Sequence, residues 1–239
     1  MDSSSTIEKI ITWMPSLLEA SKITLLLTLA SVSAALVLSI FLALGKILRV
    51  HNRNVPRPLL LLKETGTSAV RWLCSAYIFV FRGTPLLIQL YFIYYTLPKI
   101  NPAMNIKDRF TAAWIAFSLN IAAYLAEIIR AAIQSIHKGQ LEASHALGLS
   151  YAQTMRLVVL PQAYRRMVPP VCNEFVMVLK DTSLVSIIAL CDLSFQTQKI
   201  ASARASAVVY IPALVIYLIM TAIFTVTFHL IEKKLAVRE

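Results

Sequence analysis

Charge is scarce in this chain. Asp, Glu, Lys and Arg make up 15% of its 239 residues, against 58% hydrophobic, and that balance excludes an ordinary water-soluble domain. Glycine is scarcer still, with five in all (Gly45, Gly66, Gly83, Gly139, Gly148), no two of them five positions apart. A phosphate-cradling GxxxxGK[ST] loop is therefore excluded. If the protein does ATP-driven work, the ATPase is another chain. The four histidines, His51, His137, His145 and His229, show no metal-ligand spacing. No Ser or Cys stands in a nucleophile context such as GxSxG, so no catalytic residue, metal or cofactor is expected. Cys74, Cys172 and Cys191 lie in or beside apolar runs without pairing spacing and read as small buried hydrophobes. Internal repeats, low-complexity tracts and coiled-coil heptads are missing, and period-two alternation never persists long enough for strands.

What the chain does have is apolar length. Ile23 to Gly45 and Ala205 to Ile231 contain no Asp, Glu, Lys or Arg. Each exceeds the roughly 20 residues that cross a bilayer core. Three further stretches are long enough but punctured: Leu73 to Leu97 by Arg82, Thr111 to Ile129 by Glu127, and Pro170 to Leu190 by Glu174, Lys180 and Asp181. The expectation is an all-α integral membrane protein of about five transmembrane helices. Residues 1–239 form a single domain, with its core at 22–234. Residues 1–22 read as a short external segment with an amphipathic turn around Trp13 to Pro15. Their slightly acidic flank argues against a cleavable leader. Pro56 and Pro58 forbid a continuous helix across the stretch His51 to Arg71, so a surface helix starts near Leu59.

The net charge of +11 is distributed by side, not pooled for a nucleic acid. Loop residues 46–71 hold six Lys or Arg, 130–166 hold five and the C-terminal tail three, against seven in the alternate segments. The positive-inside bias places the N-terminus outside and the C-terminus in the cytoplasm. An odd number of spans agrees, and residues 138–161 then form a cytoplasmic loop.

Two spans carry polar groups that need a reason. Arg82-Gly83-Thr84-Pro85 breaks span 2, because Pro85 lacks an N–H and would clash with the carbonyl of Phe81. Thr84 as N-cap and Pro85 as first helical residue would restart a helix with its positive end inside the membrane. That is either an anion site or a packing kink with Arg82 snorkelling to headgroups. In span 4, Glu174 and Asp181 are seven residues apart, on one face and about 10 Å apart along the axis. They either receive an amino group and a cationic side chain or pair internally. Lys180 projects about 100° away and is expected to neutralise a group on another helix. On span 3, Glu127 and Arg130 at i, i+3 form an ion pair that packs or gates, and Asn120 lies deeper, placed to hydrogen-bond between helices.

Residues 142 to 161 are the most informative stretch. Glu142-Ala143-Ser144, then Gly148 after three residues, then Val158-Val159-Leu160-Pro161 after nine more, form a polar segment between apolar ones. The pattern resembles the cytoplasmic "EAA" loop of ABC importer permeases, with Ser144 where Ala is usual and Val158 where Ile is usual. A basic helix lying on anionic lipid would be the alternative. Gly148 and Pro161, however, should interrupt a long surface helix, leaving a short helix, a turn and a second helix that re-enters the bilayer. The string from Arg82 to Gln89, together with Asn173-Glu174 and Lys180-Asp181-Thr182-Ser183-Leu184, is similar to the polar amino-acid permeases, the histidine/lysine/arginine group among them.

This resemblance covers roughly Ile23 to Lys234 and implies a type I importer permease of a bacterial inner membrane, multi-pass. It implies a cytoplasmic ABC ATPase dimer, a periplasmic substrate-binding protein and a second permease subunit, identical or paralogous, as partners. Thr84, Gln89, Glu174, Asp181, Arg82 and Asn120 would line the substrate path. Glu142, Ala143, Ser144, Gly148, Leu160 and Pro161 would transmit force from the ATPase. The substrate expected is a polar, cationic amino acid, with a neutral or acidic amino acid or an opine as alternatives. An ion-coupled secondary transporter, with Glu174 and Asp181 as ion sites, is the rival reading.

Overall fold

A computed structural model describes residues 3–47 and 57–235, with side chains from residue 6 in the first segment and residue 66 in the second. Every element among the described residues is helical. The first helix, α1, runs from Ser3 to Ile47. At 1.5 Å per residue its 45 residues reach about 70 Å, roughly twice the thickness of a hydrocarbon core. The expected separate N-terminal segment is thus a continuous extension of the first span. Burial explains why the helix persists through Pro15. Trp13 and Leu17 sit in a cluster with Leu179, Leu193, Val209 and Ala213, and that packing outweighs one missing backbone hydrogen bond.

Helix α2 spans Arg57–Gly83, so the helix expected near Leu59 starts at the prolines and runs without a break into span 2. After the break come α3 (Leu86–Tyr91), a π-helical segment (Phe92–Thr96) and α4 (Leu97–Ile100). The two halves of this span are bent by 104°. Helix α5 (Arg109–Gln134) is the central element, opened by Asp108, whose carboxylate accepts from Thr111 N. Its inner face is small: Ala112, Ala113, Ala116, Ala122, Ala123 and Ala126 are fully buried. Small side chains there let α1 come close through its own Thr24, Thr28, Ser31, Ala35 and Ser39, a membrane-type packing.

Then come α6 (Lys138–Ala146), α7 (Tyr151–Thr154), a second π-helical segment (Met155–Val159) and α8 (Leu160–Asp181). Pro161, expected to interrupt, instead sits in the first turn of α8. Both π segments precede a Leu-Pro pair, Leu97-Pro98 and Leu160-Pro161. The carbonyl that each proline ring would strike, four residues back, is Tyr94 or Leu157, inside the widened turn. The π geometry is what admits the proline. Helix α8 stops at Asp181 and tightens into a 3-10 stretch, Thr182–Ile188, which ends on a left-handed Ala189 (φ 53°). The fourth span therefore starts ten residues before Pro170 and does not continue as an α-helix to Leu190. Helix α9 (Leu193–Arg204) and α10 (Tyr210–Leu235) complete the chain.

Among the described residues, three helices are long and apolar enough to cross a membrane by themselves, Thr6–Ile47, Arg109–Gln134 and Ala207–Leu235, with the bent pair Gly66–Gly83 and Leu86–Ile100 as a fourth. Helix α8 falls outside this criterion. It is the most charged of the expected spans, carrying Arg165, Arg166, Glu174, Lys180 and Asp181.

Candidate functional site

The break in span 2 organises the polar interior. A helix ending inside a membrane leaves carbonyls that water cannot reach. Thr84 does not cap the next helix; its Oγ1 donates back to Val80 O (2.8 Å) and closes α2. Pro85 occupies the N-cap of α3 in extended geometry, with no side-chain cap. Two further carbonyls are met by Gln89, whose Nε2 donates to Phe81 O (3.0 Å) and Thr84 O (3.1 Å) and also to Thr84 Oγ1 (2.7 Å). From α5, Asn120 Nδ2 donates to Phe81 O and to Gln89 Oε1, both at 3.0 Å. Thr84, Gln89 and Asn120, far apart in sequence, therefore meet in one network. Gln89 and Asn120 are 9% and 6% exposed, and the Gln89 amide is fully engaged within the protein. Their geometry holds the bend.

Arg82 is different. Its side chain is exposed and its guanidinium lies 5.2 Å from the centre of the Tyr124 ring, within cation–π range. It makes no hydrogen bond or ion pair among the described residues. It does lie close enough to Glu174 to act on that carboxyl electrostatically, as does Asp181. The two acids of α8 are thus on one stripe, Glu174 half-buried and Asp181 exposed at the end of the helix. Lys180 acts on its neighbour Asp181 and, among the described residues, pairs with no other helix; the expectation of a partner elsewhere is corrected. A cavity of about 570 Å³ is lined by α2 between Ser75 and Gly83, Arg82 included, with Lys46 of α1 and Tyr124 and Glu127 of α5.

Glu127 and Arg130 pair as expected, with Arg130 Nε and Nη2 on Glu127 Oε2 at 2.9 and 2.6 Å. Lys46 from α1 donates to the other oxygen, Oε1, a contact 81 residues away in sequence that spacing rules do not reach. The result is a triad joining α1 to α5 around a carboxylate only 13% exposed. Two cations around a single acid offset the cost of burying its charge.

The Glu142 loop is built from local signals. His137 Nδ1 accepts from Gly139 N (3.1 Å) and opens α6. Leu149 N donates to Ser144 O (3.1 Å) and Gly148 N to His145 O (3.0 Å), the double bond pattern of a Schellman terminus, with Gly148 left-handed at φ 77°. Ser150 and Gln153 then form a reciprocal capping box that starts α7. Ser144 faces inward, 3% exposed, its hydroxyl donating to Leu141 O. Glu142 and Ala143 face outward, and so do Leu160 and Pro161. Leu147, Tyr151 and Leu157 are 79%, 60% and 62% exposed, a run of apolar side chains on a polar loop. At its base Ala132, Ile136, Val159 and Ala163 form a small core. Across that base Arg166 Nη1 donates to Ser135 Oγ (2.9 Å) and to Ser135 O, a contact no sequence pattern announced.

Sequence reasoning also missed Asp192. It is fully buried, caps α9 by accepting from Phe195 N (2.8 Å), and receives Tyr217 OH at 3.5 Å. Burial pushes its carboxyl up to about 6, against the lowering effect of its hydrogen bonds. An Asp immediately before a helical run was the available signal.

The chain is thus a helical membrane protein with a broken span, small-residue packing and an exposed apolar loop. Residues 66–237 match the family of binding-protein-dependent transport system inner membrane components, and the chain belongs to it. It is 39% identical over 214 residues to the L-cystine transport system permease protein TcyB of Bacillus subtilis, covering 89% of this chain and 83% of that one. It is 34% identical to the glutamine transport system permease protein GlnP of Escherichia coli, covering 94% of each. It is 36% identical to the arginine transport system permease protein ArtQ of B. subtilis, covering 98% and 97%. Among solved structures, "an amino acid ABC transporter with histidines" superposes with a TM-score of 0.83 at 35% identity, over 95% of this chain and 97% of that one. The MetNI methionine ABC transporter shares the fold, with a TM-score of 0.74 at 19% identity. The protein is a multi-pass permease subunit of an amino-acid ABC importer, with ATP hydrolysis on a separate chain. The ion-coupled alternative gives way to this assignment.

Proposed function

We propose that the chain translocates a polar amino acid across a bacterial inner membrane by reading both ends of the zwitterion, and that the preferred substrate is cationic. The observation that supports this is the guanidinium of Arg82, which makes no ion pair among the described residues and faces the Tyr124 ring, within electrostatic reach of the Glu174 carboxyl. A guanidinium at membrane depth calls for an anion, and a planar carboxylate fits its fork in two hydrogen bonds. Arg82 takes the α-carboxylate. Glu174 takes the α-amino group, and Asp181, two turns along the same stripe, takes the side-chain cation. Thr84, Gln89 and Asn120 hold the bend that presents Arg82. The Lys46, Glu127 and Arg130 triad, two of whose members line the cavity, opens when the helices separate. Residues 138–161 dock on a cytoplasmic ATPase through Leu147, Tyr151 and the Glu142 to Gly148 turn. A second permease subunit completes the path, and a periplasmic binding protein delivers the substrate.

The test starts with co-purification from native membrane and an ATPase assay with binding protein and a panel of arginine, lysine, histidine, glutamine and cystine. The cationic reading expects arginine, lysine or histidine to stimulate most; stimulation by glutamine or cystine alone overturns it. Uptake of arginine is then compared with that of agmatine, which lacks the carboxylate. The intact protein should discriminate strongly, and Arg82→Gln should lose that discrimination. Equal discrimination in both removes Arg82 from carboxylate recognition.

A further inference from the structure

The Glu142 loop leaves α5 at Gln134 and returns to the bundle through α8, and both helices carry parts of the candidate substrate path: Asn120 and Glu127 on α5, Glu174 and Asp181 on α8. For movement of the loop to reach them together, the two helices must be fastened where the loop begins. A helix C-terminus exposes carbonyls and the negative end of its dipole, which a cation stabilises. The C-cap of α5 is Ser135, and the cation comes from the other side of the loop. Arg166, in the second turn of α8, donates through Nη1 to both the carbonyl and the hydroxyl of Ser135. Ser135 Oγ in turn donates to Ala132 O (2.8 Å), so the hydroxyl is held in its accepting orientation. The four buried residues beneath, Ala132, Ile136, Val159 and Ala163, are small or branched and contribute no polar tie of their own.

We infer that Arg166 is a positioning residue for energy coupling: its bond to the C-terminus of α5 makes α5, the loop and α8 move as one piece. The inference rests on the loop being the ATPase-docking segment. Arg166 touches neither substrate nor nucleotide; it acts through Ser135. Apolar packing alone would let the two helices slide past each other, whereas a charge-assisted bond to a fixed carbonyl sets their register. Arg165, next in the chain, is exposed and has no such partner among the described residues, which makes it the natural control.

The experiment uses the whole complex, permease with its co-purified ATPase and binding protein, in proteoliposomes. It measures ATP hydrolysis and radiolabelled arginine and glutamine uptake on the same samples. Arg166→Ala should keep ATP hydrolysis near the unaltered rate while amino acid moved per ATP falls about tenfold, the scale on which one charge-assisted hydrogen bond shifts an equilibrium. Arg166→Lys, which restores a donor but not the fork, should recover part of the ratio, and Ser135→Ala, which keeps the carbonyl, should lose less than Arg166→Ala. Arg165→Ala should leave the ratio unchanged. If Arg166→Ala and Arg165→Ala give the same ratio, or hydrolysis and uptake fall in proportion, Arg166 is not a coupling residue. If the unaltered complex shows no binding-protein-stimulated hydrolysis at all, the docking-loop reading itself is what fails.

Discussion

Gly148 closes α6 in a left-handed conformation, and nothing lies within 4 Å of the position a Cβ would take there. Any effect of substitution must therefore come from the backbone. An L-residue in the left-handed region costs about 1–2 kcal/mol, which is a factor of about 5–30 in the population of the closed terminus. Asn tolerates that region better than other non-glycine residues, and a β-branched residue tolerates it worst. The expected order of ATP-driven uptake in proteoliposomes is Gly148, then Gly148→Asn, Gly148→Ala and Gly148→Val. Because α6 has only nine residues and the loop lies outside the main core, thermal unfolding of the detergent-solubilised subunit should move little across the series. Asn is bulkier than Ala. Should Gly148→Ala outperform Gly148→Asn, side-chain volume against a docked partner, and not the dihedral, would be the governing quantity, and the reasoning would be refuted.

Gly45 lets α1 approach α2: a Cβ there would stand 2.5 Å from Cys74 Sγ and 3.4 Å from Val70 Cγ1. Gly45→Ala should destabilise by about 1–3 kcal/mol despite its better helix propensity, and adding Cys74→Ala should restore most of the thermal midpoint. A double variant no better than the single would assign the loss to something other than this contact. Asp192, raised to about 6 from 3.8 by burial, favours the native state when protonated. Its stabilising contribution is full below about pH 4 and lost as the pH rises through about 6, a change of about 3 kcal/mol at most. Asp192→Asn, which keeps an acceptor for Phe195 N, should flatten that part of the pH–stability profile measured by thermal unfolding. A profile of unchanged slope would mean another group carries it.

The break at Arg82 to Pro85 was legible because proline and glycine act on their own backbone, and the Glu127–Arg130 pair because both lie on one helix. The cap of α3 was misread for a related reason. Thr84 has two backbone ends within reach, and only the bend angle shows that its hydroxyl turns back to Val80. Contacts between distant segments left no trace in local spacing: Lys46 on Glu127, Arg166 on Ser135, and Asn120 on Gln89 depend on which helices become neighbours. The long α1 was hidden because Pro15 and a polar flank argue locally for an end, while the packing of Trp13 and Leu17 that overrides them is tertiary.

The π turn at Met155–Val159 stands between Tyr151 and the acids of α8, with helix on both sides. A π turn absorbs one extra residue, so everything beyond it lags a regular helix of the same length by about 100°. Tyr151 and Glu174 therefore keep an angular offset that a regular helix of the same composition would not have. The insertion works like the indexed joint of a crankshaft, fixing the angle at which a pull on the loop arrives at the acidic stripe. Deleting a single residue within the turn would return it to ordinary helix and leave the stripe where it is, whereas the same deletion in a neighbouring α turn would point the stripe at a different helix.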